Sequence, residues 1–276
     1  MRSILIIGSS SLISKELINL HCLNDKIIVA YFEKPKSFIP EYEYINVKNI
    51  NKIKNINIIY FISAHMKWGN YELIDTKKFY LINVELLKKT LLNFPDAKII
   101  LASSISVYGD NKKVITEKSI LNPQNEYSIS KIWAEEIVKK HKSYSIVRIG
   151  SILGKNIKHP TFIPKIINEA KKKKTITLFG DGKRKQHYIH YKDVAKIMFE
   201  THKLNESGIY LAVNPNGYSN FQIAKLVIAS LNKIITIKNN GVDNSNSIKI
   251  NPKYTLNKLG IKEMISIEKS IIEMTV

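Results

Sequence analysis

Five segments of this 276-residue chain are apolar almost without interruption: SILIIG (3–8), KIIVAYF (26–32), NIIYFIS (57–63), AKIILASS (97–104) and YSIVRIG (144–150). A strand wetted on one face alternates apolar and polar residues, whereas one covered on both faces does not. Helical patterns such as KELINLHCL (15–23) separate the segments and supply the cover. The fold class that follows is α/β: a doubly wound, Rossmann-like parallel sheet, with its ligand at the carboxyl ends of the strands. Residues 1–150 are expected to form this sheet domain, and about 189–213, ending in IYLAV (209–213), to return to it. Residues 151–276 read mainly as a smaller C-terminal α/β lobe: a helix, a short strand, a turn at Gly180-Asp181-Gly182, a strand and a helix. The asparagine-rich KNNGVDNSNS (238–247) reads as a loop.

Composition removes several classes. No run approaches twenty apolar residues, so no membrane span is expected. The apolar run of MRSILIIGSS is too short for a signal peptide, and the single cysteine, Cys22, allows no internal disulfide; a reducing cytoplasm is the expected compartment. The net charge of +20 comes almost wholly from lysine, since the only arginines are Arg2, Arg148 and Arg184. A nucleic-acid groove would draw on arginine for bidentate contacts, so no nucleic-acid partner is expected. AKKKKT (170–175) reads as a solvated helix end. Such a surface still attracts small anions.

In IIGSSSLISKEL, Gly8 closes the first strand just before a helix, where a dinucleotide pyrophosphate approaches the backbone. Ser11 and Ser14 stand where further glycines would. The same residues also suit a serine-rich helix cap with no ligand, and this stretch alone leaves both open. After the second strand, AYFEKPK offers Glu33 beside Lys34 and Lys36. Tyr31 and Phe32 fill the positions where an acid would meet the ribose, which favours NADP and keeps NAD as the alternative.

Three further stretches follow in order: ILASSISVYGD (100–110), NPQNEYSISKIWAEE (122–136) and SIVRIGSILG (145–154). Tyr127 and Lys131 are four residues apart and share one helix face. A phenol ordinarily titrates at roughly 10, and a neighbouring ammonium lowers that value. YLINVELLKKTL (80–91), LFGDGKRKQHYIHYKDVAKI (178–197), GIYLAVN and LNKLGI complete the pattern. Over nearly its whole length the chain resembles the extended short-chain dehydrogenase/reductase superfamily, in its NAD-dependent epimerase/dehydratase branch. The resemblance implies Ser104, Tyr127 and Lys131 as the catalytic set. It implies Gly8, Ser11, Leu12, Ile13, Glu33, Lys34, Asn46, Ser63, Asn83, Tyr127 and Lys131 around the dinucleotide. For a nucleotide-activated sugar it implies Ser104, Ser106, Ser151, Phe179 and Arg184.

The departures from the family pattern are informative. Ile105 and Ser106 replace the Asp-Glu pair of the 4,6-dehydratases and cannot manage loss of water, so dehydration is not expected. Gln186-His187 stands where nucleotide-sugar enzymes have Arg-Asp, which leaves Arg184, with Lys183 and Lys185, for the anionic end. His187 and His190 read as strand residues, with no metal site, and Trp133 as core. The family also implies a homodimer through a helix bundle that includes IWAEEIVKKH. The expected function is reduction of a 4-keto nucleotide-diphospho-sugar by NAD(P)H with Tyr127 as proton donor. A 4-epimerase with retained NAD is the alternative, and a non-catalytic dinucleotide sensor is a further one.

Overall fold

The computed structural model describes residues 2–21, 25–34, 42–67, 72–157 and 160–276; Cys22 and Lys36 lie outside them. The chain divides into two compact units, Met1–Gly109 with Leu121–Ile149 and Val194–Leu211, and Asp110–Ile120 with Gly150–Asp193 and Ala212–Val276.

The first unit begins β1 (Ser3–Ile7), α1 (Leu12–Leu20), β2 (Lys26–Tyr31), β3 (Glu43–Asn46) and β4 (Ile58–Phe61). A long helical stretch follows, α2 (Leu73–Lys78) running through a π-helical segment (Phe79–Glu85) into α3 (Leu86–Asn93). Then come β5 (Lys98–Ser104), a 3-10 turn (Ile105–Tyr108), α4 (Glu126–Val138) and β6 (Tyr144–Ile149). The sheet order is β3-β2-β1-β4-β5-β6, extended at the β6 edge by β10 (Gly208–Ala212). Neighbours from β3 to β6 pair in parallel. The order reverses between β1 and β4, which places the expected ligand crevice outside their carboxyl ends. Leu5, Ile7, Ile59, Phe61, Ile99 and Leu101 pack with Leu87, Leu91, Ala134 and Val138, while Ile4 and Ile6, pointing to the other face, are equally buried. Burial on both faces is why these strands read as continuous apolar runs.

The second unit holds β7 (Ser151–Leu153), α5 (Phe162–Lys173), β8 (Thr175–Phe179), β9 (Lys185–His190), β11 (Gly217–Ser219), α7 (Asn220–Leu231), β12 (Thr236–Asn240), α8 (Lys253–Lys258) and α9 (Ile267–Thr275). The helix α6 (Tyr191–His202) follows β9. The strands form one sheet of order β11-β9-β7 and a parallel pair β12-β8. Ile163, Ile166, Ile176, Leu178, Ile223, Val227 and Ile271 form its core. His187 Nδ1–H donates to the Asn214 carbonyl (2.8 Å) and its Nε2 accepts from Ile250 N–H (3.1 Å), so both ring nitrogens serve the fold. Among the described residues no group of three or more His, Cys, Asp or Glu could hold a metal ion, and no helix is long and apolar enough to cross a membrane.

Two expectations need correction, and one strand was not expected. β3 gave no sequence signal, because four half-exposed residues at a sheet edge carry no apolar run. Residues 238–240, read as loop, are the end of β12, drawn into a strand by pairing with Thr177–Phe179 despite their polarity. Trp133 is 51% exposed rather than core. The inward side of α4 is taken by Ser128, Ser130, Lys131, Ala134, Glu135 and Val138, which turns Trp133 outward, 5.4 Å from the Tyr80 ring.

The first unit also contains a closed ring of polar side chains. Arg2 donates to Asp25 (2.9 Å and 3.1 Å) and to His202 Nε2 (3.1 Å). His202 Nδ1 therefore carries the proton and donates to Tyr60 Oη (3.2 Å), the Tyr60 hydroxyl donates to His21 Nε2 (3.1 Å), and His21 Nδ1–H donates to Asp25 (3.1 Å). Every bond in the ring requires both imidazoles to be neutral. Burial, with help from the charges of His21, Arg2 and Lys203, pushes His202 down to about 4, and burial lowers His21 against the pull of Asp25. Unfolded histidine takes up its proton near 6.5 and the folded ring resists it, so acid favours the unfolded state in that window. The melting temperature should fall as pH is lowered from 6.5 to 5, with a loss on the order of 1 kcal/mol after allowing for partial solvation. His202→Gln, which keeps an acceptor for Arg2 and cannot ionise, should flatten the dependence in a thermal-shift series.

Candidate active site

The cofactor end of the first unit lies where β1 turns into α1. Gly8 adopts φ +122°, and a Cβ there would meet the Ser63 backbone nitrogen at 2.9 Å, so a side chain is excluded where β1 and β4 converge. Ser11 caps α1 by accepting from Ile13 N–H (3.2 Å), and Leu12 and Ile13 open the helix. Ser14, fully buried, folds its hydroxyl back onto the Gly8 carbonyl (2.6 Å). That bond explains how serine is tolerated in place of glycine: it ties the helix to the turn it would otherwise crowd. The first turn of α1 carries no acidic residue, so the helix dipole there favours an anion. A dinucleotide phosphate fits this end.

The remaining expected cofactor residues are placed unevenly. Glu33 and Lys34 are exposed just after β2, and Ser63 is buried just after β4, its N–H bonded to Ile7 O (2.8 Å). The Asn46 side chain caps a 3-10 turn by accepting from Lys48 N–H (3.0 Å) and donates to Phe32 O (3.3 Å). Asn83, buried in the π-helical segment, accepts from His65 N–H (2.7 Å) and donates to Ser130 Oγ (2.9 Å) and His65 O (3.3 Å). Its amide thus ties the loop after β4 to α4.

Tyr127 and Lys131 lie on α4, whose start is fixed by a capping box between Asn125 and Ser128. Lys131 is 2% exposed and donates to Ala102 O (2.9 Å) on β5; its Nζ is 5.8 Å from the centre of the Tyr127 ring. Burial pushes this ammonium down to about 8, while the carboxylate of Glu135 opposes the shift. Ser104, at the end of β5, accepts from Ser106 N–H (3.1 Å), which leaves its own proton to donate. The Ser106 Oγ is buried without a hydrogen-bond partner. A buried polar atom without a partner is costly. Sequence reasoning missed Glu135, fully buried one helical turn beyond Lys131 and paired with Arg148 at 2.6 Å. In AEE nothing distinguishes it from the exposed Glu136 beside it.

The other expected substrate residues belong to the second unit. Ser151 starts β7, half-buried, and Phe179 ends β8, 52% exposed. Arg184 precedes β9, and its Nε is buried with no hydrogen-bond partner. With Lys183, Asn239, Gly241, Asp243 and Ser245 it lines a cleft of about 710 Å³. Gln186, in the position of the family's arginine, donates to Asn220 Oδ1 (3.1 Å).

Comparison with known proteins places this geometry. The model of the NAD dependent epimerase/dehydratase family matches residues 45–211. A dTDP-D-glucose 4,6-dehydratase of Dictyostelium discoideum is 30% identical over 202 residues, 66% of this chain and 46% of that protein. The chain thus spans about half the length of that relative. GDP-6-deoxy-D-talose 4-dehydrogenase of Aggregatibacter actinomycetemcomitans is 28% identical over 210 residues, 71% of each chain. Among solved structures, UDP-glucuronic acid 4-epimerase of Bacillus cereus in complex with NAD superposes with a TM-score of 0.85 at 16% identity, over 99% of this chain and 97% of that one.

Gly8→Ala would place a Cβ against backbone in a strained conformation, and should lower unfolding free energy by about 1–3 kcal/mol in a denaturant titration.

Proposed function

Because the chain belongs to the NAD-dependent epimerase/dehydratase family, we propose that it transfers hydride at a secondary carbon of a nucleotide-diphospho-sugar, as a reductase of a 4-keto sugar. The observation that carries the reading is the buried Lys131 ammonium beside Tyr127 on one face of α4. Bound NAD supplies the hydride chemistry; Gly8 and the start of α1 would hold its phosphates and Lys131 its ribose. Tyr127 would give its proton to the sugar oxygen. Lys131 stabilises the phenolate that remains. Ser104, with a proton to donate, would hydrogen-bond the same oxygen. Ile105 and Ser106, adjoining Ser104, offer no acid or base for elimination, and this supports hydride transfer without dehydration. The 28% identity to a GDP-sugar 4-dehydrogenase supports the same reaction type. In the second unit, the buried, unpaired Nε of Arg184 supports a role in holding an anion.

The likeness to a 4-epimerase that binds NAD favours a second reading, in which the same groups oxidise and re-reduce C4. The two readings separate on cofactor retention. A reductase must exchange its dinucleotide every turnover, so purified protein should oxidise added NADH or NADPH stoichiometrically with a 4-keto nucleotide sugar. Stoichiometric bound NAD, with two sugars interconverted and no added cofactor, would establish the epimerase instead. NADPH is assayed beside NADH because the exposed Glu33 and Lys34 do not favour either one. Tyr127→Phe should lower kcat by at least about 100-fold with the melting temperature unchanged. No turnover in the wild-type protein, with dinucleotide binding unchanged by Tyr127→Phe, would leave the dinucleotide-sensor reading.

The apolar outer side of the helix pair, with Tyr80, Leu81, Ile129 and Trp133 each more than 40% exposed, supports a homodimer through that face. Trp133→Glu should shift the sedimentation coefficient from dimer to monomer; an unshifted dimer would place the interface elsewhere.

A further inference from the structure

Glu135 has no part in the chemistry assigned above, yet it is fully enclosed by donors from other elements. Its Oε1 accepts from Ser103 Oγ (2.5 Å) and Arg148 Nε (3.0 Å), and its Oε2 accepts from Arg148 Nη2 (2.6 Å). Arg148 also donates from Nη1 to Tyr108 Oη (2.7 Å), with its guanidinium 4.8 Å from the centre of that ring. Each element drawn in adjoins a group of the proposed reaction. Ser103 immediately precedes Ser104 on β5, and Tyr108 ends the turn that holds Ser104 and Ser106. Glu135 lies one helical turn past Lys131 and two past Tyr127.

From this geometry we infer that Glu135 is a positioning residue: its carboxylate fixes the rotation of α4 against β5, and so the places of Tyr127 and Lys131 relative to Ser104. This rests on the reading of Tyr127 as the proton carrier.

Stability alone does not account for the arrangement. A buried ion pair carries a large desolvation penalty, and a well-packed apolar pair of similar volume often holds two elements together as well or better. What an apolar pair lacks is directional bonding, which restricts helix rotation, and a negative charge beside the Lys131 ammonium. Lys131, buried and lowered toward neutrality, is raised only by Glu135. Among the described residues, Arg148 from β6 and Tyr108 from the turn after β5 are bonded next to the pair, and His65 from the loop after β4 lies beyond Tyr127 and Phe79. His65 stands behind Phe79, 4.9 Å from that ring, which is in turn 6.2 Å from Tyr127, and is itself bonded to Asp75 (3.3 Å), the partner of Lys67.

Two variants test the inference, with Tyr127→Phe as control. Ser103→Ala removes the hydroxyl tether and keeps the ion pair; kcat should fall about 3–10-fold with KM values and melting temperature near wild type. The double variant Glu135→Gln, Arg148→Met removes both charges together. It should melt near the wild-type temperature and bind NAD within about threefold of wild type by fluorescence quenching, while kcat falls at least about 30-fold. The alkaline limb of kcat/KM should move about one pH unit lower, since Lys131 loses its counter-charge. Wild-type kcat in Ser103→Ala, or a wild-type kcat and alkaline limb in the double variant, overturns the inference. If the double variant fails to fold, Ser103→Ala decides alone. Turnover that survives Tyr127→Phe would instead remove the reading beneath it, a distinct result.

Discussion

A carboxylate cut off from water must be surrounded by donors, and the chain brings β5 and β6 against α4 to supply them to Glu135, with Tyr108 of the turn after β5 holding the Arg148 guanidinium. Removing one partner of such a pair typically costs about 3–5 kcal/mol, because the other charge is left uncompensated in a medium that cannot solvate it. The docking of α4 is therefore sensitive to loss of either charge alone. Non-directional packing of Ala134 and Val138 against Leu101 and Ile146 would tolerate some sliding of the helix, whereas the three hydrogen bonds on Glu135 tolerate little. The chemistry proposed for Tyr127 and Lys131 depends on that fixed rotation, since their separation from β5 is set by where the helix sits.

Most of the sheet could be read from the sequence, and for a physical reason. β1, β2, β4, β5 and β6 are covered on both faces, so each spells out its burial as an unbroken apolar run. β3 is an edge strand of four half-exposed residues, and its pairing with β2 is dictated by the neighbour rather than by its own composition. The end of β12 is a similar case, where asparagines join a strand because β8 offers a ladder. Trp133 was misread by the usual rule that large aromatics go inside, because α4 spends its inner side on polar groups.

The site was legible to the extent that its groups are close in sequence. Helical spacing puts Tyr127 and Lys131 on one face, but only the family resemblance singles them out together with Ser104. The roles of Asn83 and Glu135 depend on partners 18 and 47, and 13 and 32, residues away, and no local pattern contains them. Ser14 shows the converse. In the sequence it looked like damage to a glycine turn, but its hydroxyl bond to the Gly8 carbonyl makes it part of that turn.

The hydrogen-bond polarity around Ser104 bears on the direction of the reaction. Its oxygen already accepts from Ser106 N–H, so the hydroxyl proton is the free end and points the residue toward an acceptor such as a ketone oxygen. On the proposed reading Tyr127 in its protonated form would be a second donor to the same atom. A ketone with two donors is polarised toward the alkoxide that forms when its carbon is reduced, and electrostatic stabilisation of that developing charge is where preorganised donors act most strongly. In the opposite direction the phenolate must accept a proton, which requires Lys131 to remain an ammonium beside it. Burial alone works against that requirement, and the carboxylate one turn further along α4 works for it. On the proposed reading the same helix carries the proton donor, the cation that makes the donor acidic, and the anion that keeps the cation charged.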